Sequence, residues 1–171
     1  MTIILGIDPG SRKTGAGIIE RKGSKTAWLH HQVIHLESFD LPGRLNALFS
    51  QLNEVIQTFQ PQEMAIEQVF MARNPDSALK LGHARGVAML AGIHHGLTVH
   101  EYSARQVKQA VVGTGAAGKP QVQAMITRLL SLDQVPPTDA ADALAIAVCH
   151  AHTDQNLLRL AGSKWRRGRV R

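Results

Sequence analysis

Apolar residues recur along this chain in two rhythms. Residues 2–8, roughly 14–20 and 26–36 are apolar-rich runs of strand length, separated by the turn clusters Pro9-Gly10-Ser11 and Lys22-Gly23-Ser24; they predict three successive strands in an antiparallel meander. From Leu41 the period changes. Leu45, Leu48, Phe49, Leu52, Val55, Ile56 and Phe59 form one stripe of an amphipathic helix that Pro61 ends. Met64 to Glu67 reads as a short buried strand, followed by an irregular stretch to Pro75 and a helix through Leu79, Ala84, Val87, Met89 and Leu90. Leu97 to Tyr102 makes a fifth strand, and Ser103 with Gln106 offers a capping box for a helix through Val107, Ala110 and Val111. After the Gly- and Ala-rich loop Gly113 to Gly118, two more helical patterns run from Gln121 to Leu130 and from Thr138 to about His152, separated by Pro136-Pro137. This order predicts an α/β fold, a five-stranded mixed sheet with helices packed on its faces.

A chain of 171 residues with 44% hydrophobic residues has enough material for one well-filled domain. That domain is expected over residues 1–154, followed by a basic tail, 155–171, expected to be mobile. No apolar stretch reaches the roughly 18 to 20 residues of a membrane span, and the N-terminus enters a strand without a basic region or cleavage site, so a cytoplasmic location is expected. The single cysteine, Cys149, excludes an intrachain disulfide and a cysteine-built zinc site, and falls at a core position of a helix. The net charge of +6 suggests a polyanionic partner. All of that excess lies in the tail: residues 155–171 hold six Lys or Arg and no acid, leaving 13 basic and 13 acidic groups in residues 1–154.

Four of those acids occupy places where a carboxylate is costly. Asp8 ends the apolar run from Ile3 to Ile7, Glu67 follows Ala65-Ile66, and Asp139 with Asp142 open an Ala- and Leu-rich helix. If brought together, unit charges about 4 Å apart repel by roughly 4 kcal/mol per pair even at an effective dielectric of about 20. A divalent cation relieves this, and all-oxygen ligands suit magnesium or manganese rather than zinc. Two such ions clamp the attacking and leaving oxygens of a phosphodiester, which is nuclease chemistry. Singly, the acids have plainer uses. Asp139 and Asp142 share one face in the first turn of a helix, where the dipole favours carboxylates and Thr138 or Asp139 can cap, and Asp8 before Pro-Gly can form an Asx turn. Glu67 has no such local role.

The stretches ILGIDPGSRKTG, AIEQVFMARNPDSALKLGHARGVA, ARQVKQAVVGTGAAGKPQV and DAADALAIA resemble the RuvC-type Holliday junction resolvases over almost the whole chain, departing after about residue 152. The resemblance implies a ribonuclease H-like fold, a homodimer, and paired nicks in strands of like polarity at a four-way DNA junction. It also implies two magnesium ions per site, replaceable by manganese, held by Asp8, Glu67, Asp139 and Asp142, and a branch-migration complex, RuvA-RuvB, as partner. The expected ends are 5′-phosphate and 3′-hydroxyl. Phe70 matches an aromatic that stacks on unpaired bases at the junction centre, though a core Phe is the plain alternative. Gln68, Met71 and Arg73 share its irregular segment. Lys108 and Lys119 match basic residues associated with DNA contact and catalysis, and Arg105 shares a helix with Lys108; solvated side chains are the plain reading of each.

Two features are set aside. Gly113 to Pro120 nearly spells a phosphate-binding loop, but Pro120 stands where a Ser or Thr should hold magnesium, and the preceding residues read as a helix instead of a strand. The nine histidines, densest at His94-His95 and His150-Ala151-His152, form no evident ligand set and are expected at the surface or at helix ends. Apart from resolution of four-way junctions, the pattern leaves room for a junction-binding protein without catalysis and for a related nuclease acting on RNA or linear duplex.

Overall fold

A computed structural model describes residues 1–69 and 74–167, with side chains described as far as Asp154. In chain order the elements are β1 (Thr2–Asp8), β2 (Lys13–Lys22), β3 (Lys25–His35), α1 (Leu41–Phe59), β4 (Glu63–Glu67), α2 (Pro75–His94), β5 (Thr98–Tyr102), α3 (Ala104–Val112), α4 (Lys119–Leu129) and α5 (Thr138–Arg167). The sheet order is β3-β2-β1-β4-β5. The first three strands pair antiparallel through short turns, whereas β4 and β5 join parallel to β1 after the helical crossovers α1 and α2. This is the mixed five-stranded sheet expected from the pattern.

Strand alternation sorts the core into two layers. Leu5, Ile7, Ile18, Met64 and Ile66 face α1 and α2, meeting Leu48, Leu52, Ile56, Ala84 and Ala88. Ile4, Ile19 and Ala65 face the other way, onto α5, which α3 and α4 back with Val107, Val111, Val122 and Ile126. Asp8 therefore shares the α5 side of β1 with Ile4 and Gly6, and Glu67 shares the α5 side of β4 with Ala65.

Helix α5 lies unusually close to the sheet because glycines receive it. A Cβ on Gly6 would fall 2.1 Å from the Ala143 carbonyl oxygen, one on Gly15 1.9 Å from that of Asp139, and one on Gly17 2.8 Å from Leu144 Cδ2. Gly6 pairs with Gly17 and Asp8 with Gly15 across β1 and β2, so the three vacancies form one trough. The Ala-rich face of α5, with Ala140, Ala143 and Ala147 fully buried, fills it.

Local chemistry sets the other boundaries. The Ser103–Gln106 capping box forms, with Gln106 N–H donating to Ser103 Oγ at 3.3 Å and Ser103 N–H to Gln106 Oε1 at 2.8 Å. Helix α4 starts at Lys119, two residues before the pattern indicated, because the Gly118 N–H donates to Gln121 Oε1 at 2.8 Å and Pro120 fits the first turn. Gly113 to Gly118 is thus the expected loop, its first residue capping the end of α3 and its last the start of α4. Helix α5 continues to Arg167, well past the expected end near His152; no Gly or Pro interrupts the chain until Gly162. Cys149 is buried, as expected, and burial pushes its thiol up to about 11.

The histidine expectation fails at His150, which is 3% exposed. Its Nδ1 meets Tyr102 Oη at 2.7 Å, its Nε2 meets Glu63 at 2.8 Å, and its ring stacks on His100 at 4.3 Å. A buried polar ring with both nitrogens satisfied ties α5 to β4 and β5. Among the described residues no helix is long and apolar enough to cross a membrane.

The trough makes a direct prediction. Gly15→Ala forces the first turn of α5 outward, and overpacking of this kind costs about 1–3 kcal/mol or more; thermal denaturation should show a fall of several degrees. An unchanged melting temperature would contradict the close packing.

Candidate active site

Strand register builds the first half of the site. The parallel pairing of β1 with β4 ends at Ile7↔Ile66, so Asp8 and Glu67, one residue further on, emerge side by side at the C-terminal ends of the two strands. Ligand sites in sheets of this kind lie beyond the carboxyl ends of the strands. Helix α5, seated in the glycine trough, carries Asp142 across the same end. A recess of about 160 Å³ is lined by Asp8, Glu67 and Asp142 together with Lys108 of α3, Lys119 of α4, and Ala104, Val107, Val122 and Ile146. Lys119 Nζ donates to Asp142 Oδ2 at 3.0 Å.

Asp139 stands apart. It lines an adjoining groove with Gly10, Ser11, Arg12, Lys13 and Glu37, although its charge is still felt by Lys119. Asp139 lies in the first turn of α5 and Asp142 just beyond it, so the expectation that both occupy the first turn holds for Asp139 only. Asp142 is directed at Lys119 and the recess.

The electrostatics are those of crowded acids. Asp8 is pushed from 3.8 up to about 8, first by burial, then by the negative charges of Glu67 and Asp142, with partial relief from Lys119. Glu67 is also raised, chiefly by burial, while its hydrogen bond with Asp8 lowers it. Burial and the neighbouring acids thus make both carboxyls harder to ionise than free ones. Lys119 is held charged to higher pH by its bond to Asp142.

Among the described residues no three His, Cys, Asp or Glu side chains form a closed ligand cluster. Asp142 is engaged by Lys119, and Asp139 faces the neighbouring groove. The donor set nevertheless fits a hard cation: every acid side chain offers oxygen donors, and their crowded negative charge, only partly offset by the Lys119 ammonium, would be relieved by a metal ion.

The remaining sequence candidates distribute unevenly. Lys108 and Lys119 line the recess. Arg105 is exposed on α3, outside the recess, and its stem packs so near Gly115 that a Cβ there would approach within 2.7 Å. Phe70, Met71 and Arg73 lie outside the described residues; the Gln68 N–H donates to the Tyr102 carbonyl at 2.8 Å and ties the start of their segment to β5. Pattern reading passed over Arg85. Its Nε donates to the Glu67 carbonyl oxygen at 3.2 Å while its guanidinium pairs with Glu101, bracing the ends of β4 and β5 from α2. Its inclusion in the stretch GHARGVA was the available signal, but a lone Arg on a half-exposed helix reads as a surface charge.

Acids at the ends of two adjacent parallel strands, faced by a third on a helix crossing a β3-β2-β1-β4-β5 sheet, define a nuclease core of the ribonuclease H-like class. The family model described as crossover junction endodeoxyribonuclease RuvC matches residues 4–150, and the chain belongs to that family. The crossover junction endodeoxyribonuclease RuvC of Marinobacter nauticus is 57% identical over 173 aligned positions, covering 100% of this chain and 99% of that protein. That of Tolumonas auensis is 55% identical, covering both chains fully. Among solved structures, T. thermophilus RuvC in complex with a Holliday junction substrate superposes with a TM-score of 0.85 at 34% identity, covering 91% of this chain and 96% of that one.

The shifted acid yields a pH prediction. With its folded value above its ordinary one, protonated Asp8 contributes stability that is complete below about pH 4 and is lost as pH rises through about 8. Metal-free protein should therefore melt at lower temperature at pH 8 than at pH 5, and Asp8→Asn should recover on the order of a few kcal/mol at pH 8. Calorimetry in chelator checks this, and equal pH slopes for the two proteins would refute it.

Proposed function

We propose that Asp8, Glu67, Asp139 and Asp142 hold the divalent cations with which this chain resolves four-way DNA junctions by paired, symmetric nicks. The observation that carries the assignment is the convergence of Asp8, Glu67 and Asp142 with Lys108 and Lys119 on one recess at the strand ends. Bound cations, magnesium or manganese and two per site, supply an activated water and stabilise the leaving 3′ oxygen, giving 5′-phosphate and 3′-hydroxyl ends. The protein's own groups do the rest. Asp8 and Glu67 would hold the cations as carboxylates, any proton on Asp8 passing to solvent, and Lys119 would exchange Asp142 for a phosphate oxygen. Lys108, which also lines the recess, pairs with a second phosphate oxygen. Arg85 keeps the Glu67 backbone fixed while these charges rearrange.

Phe70, following β4 by three residues, stacks on bases unpaired at the crossover, and Arg73 and Arg105 contact the flanking backbone. The basic residues of 155–171 add salt-dependent affinity. The setting for this activity is the bacterial cytoplasm, in recombination and repair, with the RuvA-RuvB branch-migration complex as partner.

A junction with two-fold symmetry calls for two active sites, and the chain has one. The exposed face of α2 suits a homodimer. Leu79, Leu90 and Ile93 are 62%, 58% and 58% exposed, on the same side as Gly82 and Gly86, where an added Cβ would meet nothing within 4 Å. Two such helices can cross closely over their glycines and bury the three apolar side chains.

Two experiments test these assignments. Asp8→Asn and Glu67→Gln should bind a synthetic mobile junction about as tightly as wild type while cutting it at least about 10³-fold more slowly with magnesium; appreciable cleavage would remove the acids from the mechanism. Competition among junction, linear duplex and RNA in the same assay reports the substrate. Leu79→Glu combined with Leu90→Glu should sediment as a monomer and lose paired cutting. A dimer persisting in that variant would move the interface elsewhere.

A further inference from the structure

The groove beside the recess holds a cation with no intramolecular task. Arg12 is exposed in the β1–β2 turn, and among the described residues its side chain makes no hydrogen bond or ion pair. Its backbone, by contrast, is tightly held. The Leu36 N–H donates to the Arg12 carbonyl at 2.8 Å, Arg44 reaches the Ser11 carbonyl at 3.2 Å, and Thr14 Oγ1 bonds both the carbonyl and the N–H of Gly10, at 3.1 and 3.3 Å. The turn is so tight that a Cβ on Gly10 would fall 2.0 Å from the Lys13 carbonyl. A fixed backbone presenting an unpaired guanidinium is an arrangement built for an external anion.

The place of the groove identifies that anion. Asp142 lines the recess and Asp139 the groove, three residues apart on α5, so the two cavities adjoin within one helical turn, about 4.5 Å of rise. A DNA strand with its scissile phosphate at Asp8 that runs toward the start of α5 would carry a neighbouring phosphate over the groove. The acids there do not forbid it: Glu37 is already paired with Lys13 at 3.5 Å and His35 at 3.4 Å, and Asp139 is neutralised when it serves as a cation ligand. Arg12 is then the uncompensated charge.

We propose that Arg12 forms a subsite for a backbone phosphate adjacent to the cleaved bond, on the Asp139 side of the active centre. The subsite rests on the nuclease reading, and it fixes which way the cleaved strand runs across the protein, from the Lys108–Lys119 wall toward the β1–β2 turn. Guanidinium binding to phosphate is bidentate and independent of base identity.

The test measures junction binding across a salt series for wild type, Arg12→Gln and Arg12→Lys, using junctions that carry a single uncharged methylphosphonate at successive positions beside the cut. Arg12→Gln should bind several-fold more weakly at moderate salt, with the slope of log K against log salt reduced by about one, and Arg12→Lys should keep the slope. One methylphosphonate position should weaken wild type but leave Arg12→Gln unaffected. An unchanged slope in Arg12→Gln, or equal methylphosphonate penalties in both proteins at every position, overturns the subsite while leaving the nuclease reading intact. Failure of wild type to prefer the junction over duplex overturns both.

Discussion

The contact on which the rest of this structure depends is the seating of α5 against bare backbone at Gly6, Gly15 and Gly17. A helix resting on ordinary side chains would stand several ångströms further from the sheet, and Asp142 would no longer face Asp8 and Glu67. The alanines of α5 complete the fit, since small residues on both surfaces let the backbones approach. The same packing that makes the core dense brings a third acid to two that strand register has already placed together.

That convergence is costly, and the surroundings are organised to offset it. The raised affinity of Asp8 for a proton and the ammonium of Lys119 on Asp142 hold the charge in check. A hard cation at the same carboxylate oxygens would offset their charge in the same way. Rigidity comes from residues outside the recess. Arg85 and Glu101 brace the ends of β4 and β5, and the Glu63–His150–Tyr102 chain locks α5 to the same two strands from within the core. Three separate elements are thereby held in position around the recess.

The outer surface divides by task. The exposed apolar stripe of α2, with its two open glycines, lies on the layer opposite α5, while the recess and the Arg12 groove lie at the strand ends. A second copy seated on the α2 stripe would therefore leave the recess and the groove open. Arg85 links them, reaching from α2 to the backbone of Glu67.

Much of this was legible in the residues. Hydrophobic period distinguished each strand from each helix because burial on one face leaves a repeat of two or of 3.6, and the Ser103–Gln106 box marked a helix start through a bond spanning three residues. Asp8 and Glu67 were conspicuous because an acid at the end of an apolar run has few local explanations. Other features could be seen only in three dimensions: that Asp142 enters the recess while Asp139 turns to the groove, that His150 is buried, that Arg85 holds Glu67, and that Arg12 is free. Sequence determined the elements and the residues able to do chemistry, since periodicity and side-chain type are properties of neighbouring residues. Tertiary structure decided which of them meet, because the contacts among Gly15, Asp139, Arg85 and Glu67 join residues far apart in the chain, and no local pattern encodes a distance across a sheet.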